Sequence, residues 1–539
     1  MVRAFGDGAL LVDCRDLPEA QGLARALEAL VGAGTTPWVG IEEVVVGFAT
    51  VTVVVDPAAA DLPALAPALA RLPAGETAGE ETTRRLEIPV VFDGPDREEA
   101  AGLAGTSWEE VLGLLAGTDL TVAFLGFAPG FAYLTGLPAP LDRVPRRRSP
   151  RPSVPAGSLG LAGGFAGIYP RASPAGWQLL GRSPFPLFDP TRPPYASLRA
   201  GDRVRLVPTG TVPVGDPPAP RPLLRSAAAR TVEVVEPGIL TTVQDAGRLG
   251  VARLGVPRAG AADPLARRLG NRLVGNAEGA ALLEVTARGP TLRFGAPAHV
   301  ALLGAARLSL EGLPVPGGSV LPVEAGQLLT VGTLERGGRA WLALGGGVEV
   351  EELLGSRSSD LLSGLGPGPL RAGDRLGLGP APRPHGRLLT PGGLAGEVPG
   401  EVLLRLMAGP DPVDPSTLAG LLGGEWAVSP RSDRIGVRLE GGPPLPPEGP
   451  APSRGMVTGA VQLPPEGRPI ILGPDHGTVG GYPVVATVVT ADLGRLGRCR
   501  PGDRLRFELV DGAGADAARR GLEEKLAGLV QGWYPVRTD

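Results

Sequence analysis

Lysine is nearly absent from this chain: Lys525 is the only one among 539 residues. That excludes a phosphate-cradling GK[ST] loop and leaves a Schiff-base mechanism one badly placed candidate near the C-terminus. Cysteine is almost as scarce. Cys14 and Cys499 are the only two, too few for a disulfide framework, so a cytoplasmic setting is expected. The three histidines, His299, His385 and His476, stand far apart with no metal-ligand spacing, and no metal site is read from them. Nothing resembles a nucleophile elbow. No apolar run approaches the ~18 residues of a membrane helix, and the first residues lack a signal-peptide layout. The net charge of −4 gives no electrostatic pull toward nucleic acid or an anionic membrane.

What the chain has instead is Gly 83 and Pro 60, punctuating short Val- and Leu-rich runs. This pattern predicts many short strands joined by tight turns, spread over several domains. Residues 1–83 read as a small α+β unit. It has a strand over Ala9–Val12, a helix over Leu17–Val31, a strand over Glu43–Val55 and a helix over Ala58–Leu72. Residues 84–208 read as a β-unit with a helix over Ser107–Leu115, and the proline-rich 209–229 as a linker. Two further β-modules follow, 230–385 and 386–539. Asp263 and Pro264 start a helix running to Leu273, and Asp516–Gly532 forms a terminal helix. The phrases LRAGDRVRL, LRAGDRLGL and CRPGDRLRF, at 198–206, 370–378 and 499–507, argue for three related β-modules.

Two glycine-rich stretches share a layout. Pro145–Pro190 carries Arg147, Arg148, Arg151 and Arg182 around Tyr169-Pro170, and Arg468–Arg504 is built around Tyr482-Pro483. Arginine forks recognise carboxylate or phosphate, and glycine lets backbone N–H groups approach a ligand. Each stretch also reads as a stiff surface loop. Glu284, between Leu283 and Val285, is placed by its neighbours on a nearly buried strand.

The motifs GFAPGFAYLTGLP, PAGSLGLAG, GIYP, SPAGW and GRSP in the first half, with VQDAGRLG, GVPRAGAADP, NRLVGN, SDRIGVRLEGG, VQLPPEGRPIIL and TVGGYPVVATV in the second, carry a resemblance. The chain resembles a fusion of the B- and C-type components of the ATP-dependent 5-oxoprolinase. These are the two allophanate hydrolase subunit families, first and second, which include sensor-kinase inhibitor and antagonist proteins and are similar to the carboxyltransferase part of urea carboxylase. The resemblance implies a mainly β chain with α+β additions, namely tandem cyclophilin-like β-barrels preceded by a small α+β domain. It implies ATP-driven opening of the lactam of 5-oxoproline to glutamate, with ATP as its Mg2+ complex and a separate A-type component as partner. Self-association is left open.

Such chemistry needs donors for phosphates, a partner for the substrate carboxylate, and acids for magnesium or proton transfer. The resemblance places these roles on catalytic candidates Glu284, Asp245, Asp475 and Tyr482. Binding candidates are Arg148, Arg151, Ser158, Tyr169 and Arg182 in the first half, and Gln244, Arg248, Arg431, Arg434, Arg438, Thr478, Gly480 and Gly481 in the second. The chain departs from the family pattern at Leu115, where a histidine is usual, and at Phe165-Ala166, where Gln-Thr is. It departs again at Asp433, where Asn is more usual, and at His476, where Arg or Gln is common. Alternatives are a urea carboxylase-like carboxyltransferase module and a histidine-kinase regulator. The regulator is disfavoured because an inhibitor joined to its own antagonist makes a poor switch.

Overall fold

The computed structural model describes residues 1–73, 84–147, 149, 151–210, 228–315, 320–382, 400–446, 448–449 and 451–531. Arg148, His385 and most of the expected linker lie outside these residues.

The N-terminal unit is a four-stranded antiparallel sheet in the order Val2–Ala4, Ala9–Asp13, Thr50–Val55, Ile41–Val46. Helices Leu17–Ala33 and Leu62–Arg71 pack on it, burying Leu23, Leu27, Leu65 and Leu69 against Val51 and Val53. Each helix has an aspartate cap: Asp16 accepts from Glu19 N at 2.9 Å and Asp61 from Ala64 N at 3.1 Å. Each also has a proline in its first turn, a position that needs no N–H. The strand expected over Glu43–Val55 is a hairpin. Gly47 sits in its turn so close to a neighbouring loop that a Cβ would lie 2.6 Å from Arg454 Cα. The run of Val, Phe and Ala carries on across the turn with only Gly47 to mark it, so the sequence reads as one strand.

The next module is a seven-stranded sheet whose order runs from Gln178–Arg182 at one edge to Arg85–Val90 at the other. The edges meet: Val91 and Arg182 exchange two backbone hydrogen bonds of 2.9 Å, which curls the sheet into a barrel. Its last strand, Arg203–Pro208, runs parallel to its first, Arg85–Val90. The C-terminal module is a closed seven-stranded barrel with the same feature, Arg504–Leu509 parallel to Glu401–Ala408. The module between them differs. It is a ten-stranded sheet dominated by the hairpin Ala298–Leu310 and Leu328–Leu344, and its last strand pairs antiparallel to its first. Helix Pro264–Leu273 packs on that hairpin, its cap Asp263 accepting from Ala266 N at 3.0 Å.

The thrice-repeated phrase forms one turn in all three modules. Asp202, Asp374 and Asp503 each accept from the backbone N–H three residues earlier, at 2.8, 2.7 and 2.9 Å. The preceding Gly201, Gly373 and Gly502 have φ of 91°, 84° and 89°, a region that glycine enters without steric cost.

The two halves interlock. A Cβ on Gly255 would lie 2.2 Å from the Ala128 carbonyl oxygen, and one on Gly126 would lie 2.3 Å from Val479 Cγ2. The loop 126–130 of the first barrel is thus seated between two loops of the second half.

Candidate functional site

A cavity of about 350 Å³ opens where the N-terminal sheet, the middle module and the closed barrel meet. Its walls include Asp7, Glu42 and Glu43 from the first, Asp245, Arg258 and Arg267 from the second, and His476, Thr478 and Thr487 from the third. Polar ties across the halves hold these walls. Arg258 forks onto Glu42 at 2.6 and 3.3 Å. Asp7 accepts from Thr490 N at 2.9 Å and Thr490 Oγ1 at 2.7 Å. Glu43, 7 % exposed, accepts from Gly250 N at 2.7 Å and Ala252 N at 3.0 Å. Burial pushes the Glu43 carboxyl up to about 7, and those N–H groups offset it only in part.

Adjoining the cavity is a buried ion network. Arg434 donates from Nη1 to Glu284 Oε1 at 2.6 Å, from Nη2 to the Gly260 carbonyl at 2.7 Å, and to both oxygens of Asp475 at 2.8 Å. The other Glu284 oxygen accepts from Ala262 N and Trp341 Nε1, each at 2.8 Å. Burial opposes ionisation of Glu284, but Arg434 and Arg339 outweigh it and hold the carboxyl below its usual range. Burial pushes Asp475 up to about 6. Arg434 is shared with Glu284, and Asp360 adds like charge, so the arginine does not bring Asp475 back down.

Asp245 anchors the loop after Glu352. Its oxygens accept from Gly247 N, Ser356 Oγ, Ser358 Oγ and Arg357 N, at 2.8, 2.6, 2.5 and 2.6 Å. Arg248 is fully buried, with Nη2 on the Ser358 carbonyl at 2.6 Å and its Nε and Nη1 unpartnered among the described residues. Gln244 donates to the Ser359 carbonyl at 3.0 Å, which fixes its amide and leaves Oε1 unpartnered.

His476 lies 2.8 Å from the Gly477 carbonyl through Nδ1. A carbonyl only accepts, so Nδ1 carries the proton. Burial lowers the pKa, the ring is neutral, and Nε2 keeps a lone pair. The hydroxyls of Thr478 and Thr487 are buried and unpartnered among the described residues, and both residues line the cavity.

The candidates from the motifs therefore divide. Glu284, Asp475 and Arg434 form one network, Gln244, Asp245 and Arg248 a neighbouring one, and Asp245 and Thr478 reach the cavity. Arg434 is committed to two carboxylates, and a free phosphate would have to displace them. The remaining candidates do not join the cavity lining. Arg151 pairs with Asp96 at 2.6 Å and Arg182 with Asp93 at 2.8 Å, each arginine finding an acid of its own barrel. Ser158 lies in a strand of that barrel, and Tyr169 is 2 % exposed with its ring 5.2 Å from Phe131. Arg431 pairs with Glu440 on the surface and Arg438 is an exposed strand residue. Tyr482 is 40 % exposed, and Gly480 packs against Gln462 and Met456, with Gly481 between the two. Leu115 is in the barrel core and Phe165 packs edge-on to Phe48.

Sequence reasoning missed Arg267, Thr487, Glu42 and Glu43. Arg267 sits in the run ARRLGNR, where one arginine cannot be told from another. The two glutamates act across a boundary between distant parts of the chain. His476 stands out in the sequence only as a departure from the family pattern.

These barrels, their interlocked halves and the shared cavity define a carboxyltransferase-domain protein. Family models for "Carboxyltransferase domain, subdomain C and D" and "Carboxyltransferase domain, subdomain A and B" match residues 1–198 and 254–509. The C-type component of 5-oxoprolinase from Escherichia coli (strain K12) is 34 % identical over 283 residues, covering 51 % of this chain and 90 % of that protein. The B-type component of 5-oxoprolinase from Bacillus subtilis (strain 168) is 47 % identical over 131 residues, 24 % of this chain and 54 % of that one. The urea amidolyase of Lachancea kluyveri is 34 % identical over 309 residues, 51 % of this chain but only 17 % of its own length. The crystal structure of TTHA0988 superposes with a TM-score of 0.82 at 37 % identity, covering 94 % of this chain and 100 % of that one. The chain belongs to the carboxyltransferase-domain family that contains the B- and C-type components of 5-oxoprolinase. Among the described residues no helix is long and apolar enough to cross a membrane.

Proposed function

We propose that this chain is a combined B- and C-type component of a cytoplasmic, ATP-dependent 5-oxoprolinase, which opens the lactam of 5-oxo-L-proline to L-glutamate with a separate A-type component. The observation that carries this reading is the shared cavity, walled jointly by residues from both carboxyltransferase matches and tied across them by Glu42–Arg258 and Glu43. Phosphorylating the lactam oxygen would make the carbon more electrophilic and the oxygen a better leaving group. The neutral His476, with Nε2 free to accept, is placed to take a proton from the attacking water. Among the described residues no three Asp, Glu, His or Cys side chains gather as metal ligands. Asp245 spends its lone pairs on four protein donors. Magnesium is therefore proposed to arrive on the nucleotide phosphates, as it does where the protein supplies few ligands.

The test is glutamate release from 5-oxoproline with ATP and magnesium, with and without an A-type component. Turnover should require the partner. Equal turnover by the chain alone, or none with the partner, overturns the reading. Similarity to urea amidolyase supports a second reading, carboxyl transfer to a urea-like amide. The same assay with urea, bicarbonate and a biotin-carboxylating partner tests it.

A further inference from the structure

Five arginines line the junction cavity: Arg258, Arg267, Arg268, Arg339 and Arg519. Four are committed to acids. Arg258 pairs with Glu42, Arg268 with Glu278 and Glu523, Arg339 with Glu284, and Arg519 with Asp516. Arg267 is the exception. Among the described residues its guanidinium forms no ion pair, and its hydrogen bond goes to the Glu278 carbonyl. The charges that act on it are Asp245 and Glu278 on one side of the balance and Arg258 and Arg268 on the other. Among the described residues none of these acids forms an ion pair with Arg267, so its positive charge has no direct partner. Taking a cation out of water without a counter-ion is costly, and burial accordingly lowers the Arg267 pKa.

The cavity acids are bound to other groups. Glu42 is held by Arg258, Glu43 by two backbone N–H groups, Asp7 by Thr490, Asp56 by Ala58 N, Glu523 by Arg268, and Asp433 by Ile435 N and Gly436 N. Asp245 acts on Arg267 through its charge, but its oxygens are taken by Gly247 N, Ser356, Arg357 N and Ser358. The rest of the lining is largely apolar, with Phe5, Val45, Val54, Leu265, Met456 and Val457. Against it stand the unpartnered hydroxyls of Thr478 and Thr487 and the free Nε2 of His476. A volume of about 350 Å³ is near the lower end of small-molecule sites, about 300 Å³. One cation without a direct partner calls for a monoanion, the apolar walls for a short hydrocarbon body, and the hydroxyls and imidazole for an amide. A nucleotide triphosphate would bring several negative charges beside Glu42, Glu43 and Asp7.

We propose that Arg267 anchors the carboxylate of a small amide- or lactam-bearing acid in the junction cavity. Naming that acid as 5-oxoproline rests on the functional reading above. The assignment puts substrate recognition at the interface of the halves, and makes Arg267 a specificity residue that fixes which end of the substrate faces His476.

Calorimetry on the full chain tests this with 5-oxoproline and 2-pyrrolidinone, the same ring without its carboxylate. The wild type should bind 5-oxoproline at least tenfold more tightly. Arg267→Gln should abolish that preference and leave pyrrolidinone binding unchanged, and Arg267→Lys should retain part of it. Should the glutamine variant melt early, the lysine variant, which keeps the charge and loses the fork, decides by a preference reduced several-fold. An Arg267→Gln chain that is folded and still prefers the carboxylate tenfold overturns the proposal, whatever the turnover assay gives. If 5-oxoproline does not bind but succinamate is preferred over propanamide in an Arg267-dependent way, the anion site stands and the 5-oxoprolinase reading fails. Binding of neither acid overturns the site.

Discussion

Arg434 reaches Glu284, 150 positions away in the chain, at 2.6 Å, while it clamps Asp475 through two hydrogen bonds of 2.8 Å. The pair stitches a strand of the middle module to a loop of the closed barrel, with the Glu284 and Arg434 side chains 1 % and 7 % exposed. In so dry a place the net worth of the pair is modest, since both charges lost their water. Removing one partner is another matter, because the other is left buried and uncompensated.

Glu284→Gln should therefore destabilise the chain, by about 3 kcal/mol, instead of leaving folding untouched as the matching shape would have it. Urea or thermal unfolding measures the loss, and turnover per folded molecule should stay near wild type. A variant that melts normally yet loses tenfold in turnover would return Glu284 to the chemistry. Arg434→Ala should behave alike, losing stability first.

Gly255 tests the interlock between the halves. Its φ is 79°, and a Cβ would press to 2.2 Å from the Ala128 carbonyl oxygen, a backbone atom that cannot swing away. Gly255→Ala should cost about 1–3 kcal/mol through left-handed strain and displacement of the 126–130 loop. Gly102→Ala is the control, since nothing lies within 4 Å of that Cβ. Melting temperatures that coincide for both variants would mean that the loop yields freely.

Glu43 gives a pH signature. Its carboxyl ionises at about 7 in the fold, against about 4.3 in an unfolded chain. Between those values the folded state binds a proton that the unfolded state has released. Stability from this group is thus greatest below about 4.3, and falls as pH rises through about 7. The melting-temperature difference between wild type and Glu43→Gln should favour wild type progressively as pH drops from 8 to 5. A difference that is flat with pH would show that Glu43 is already ionised in the fold.

The strands, the aspartate-capped helices and the three Gly-Asp turns were legible because each depends on residues close in sequence. Gly201, Gly373 and Gly502 repeat in phase with their aspartates, and the geometry repeats with them. The buried setting of Glu284 was legible for the same reason, from Leu283 and Val285 beside it. Its partner was not: nothing around Arg434 points to residue 284 or 475. The arginines of 146–151 looked like anion ligands because charge is visible in a sequence and counter-charge is not. Asp96 lies more than 50 residues before Arg147 and Arg151 and takes both. Conversely Arg267, one of three arginines in its helix, stands out only once every neighbouring acid is seen to be taken.

His476 supplies the sharpest test of the chemistry. The Gly477 carbonyl fixes the proton on Nδ1, and burial lowers the ring's pKa from its ordinary value of about 6.5. The basic form therefore persists into mildly acidic solution, and the acid limb of kcat/KM should fall below pH 6.5. His476→Gln keeps a side chain able to hydrogen-bond Gly477 but offers no base in this pH range. It should melt near wild type and lose about 10²–10⁴-fold in turnover with the A-type partner, the usual worth of a positioned proton acceptor. Loss of kcat with KM for 5-oxoproline unchanged would separate this role from that of Arg267, whose replacement should act chiefly on KM. A His476→Gln variant with full turnover would move the proton acceptor out of the closed barrel. The next group to test would then be Glu43, the cavity carboxyl whose ionisation lies closest to neutral pH.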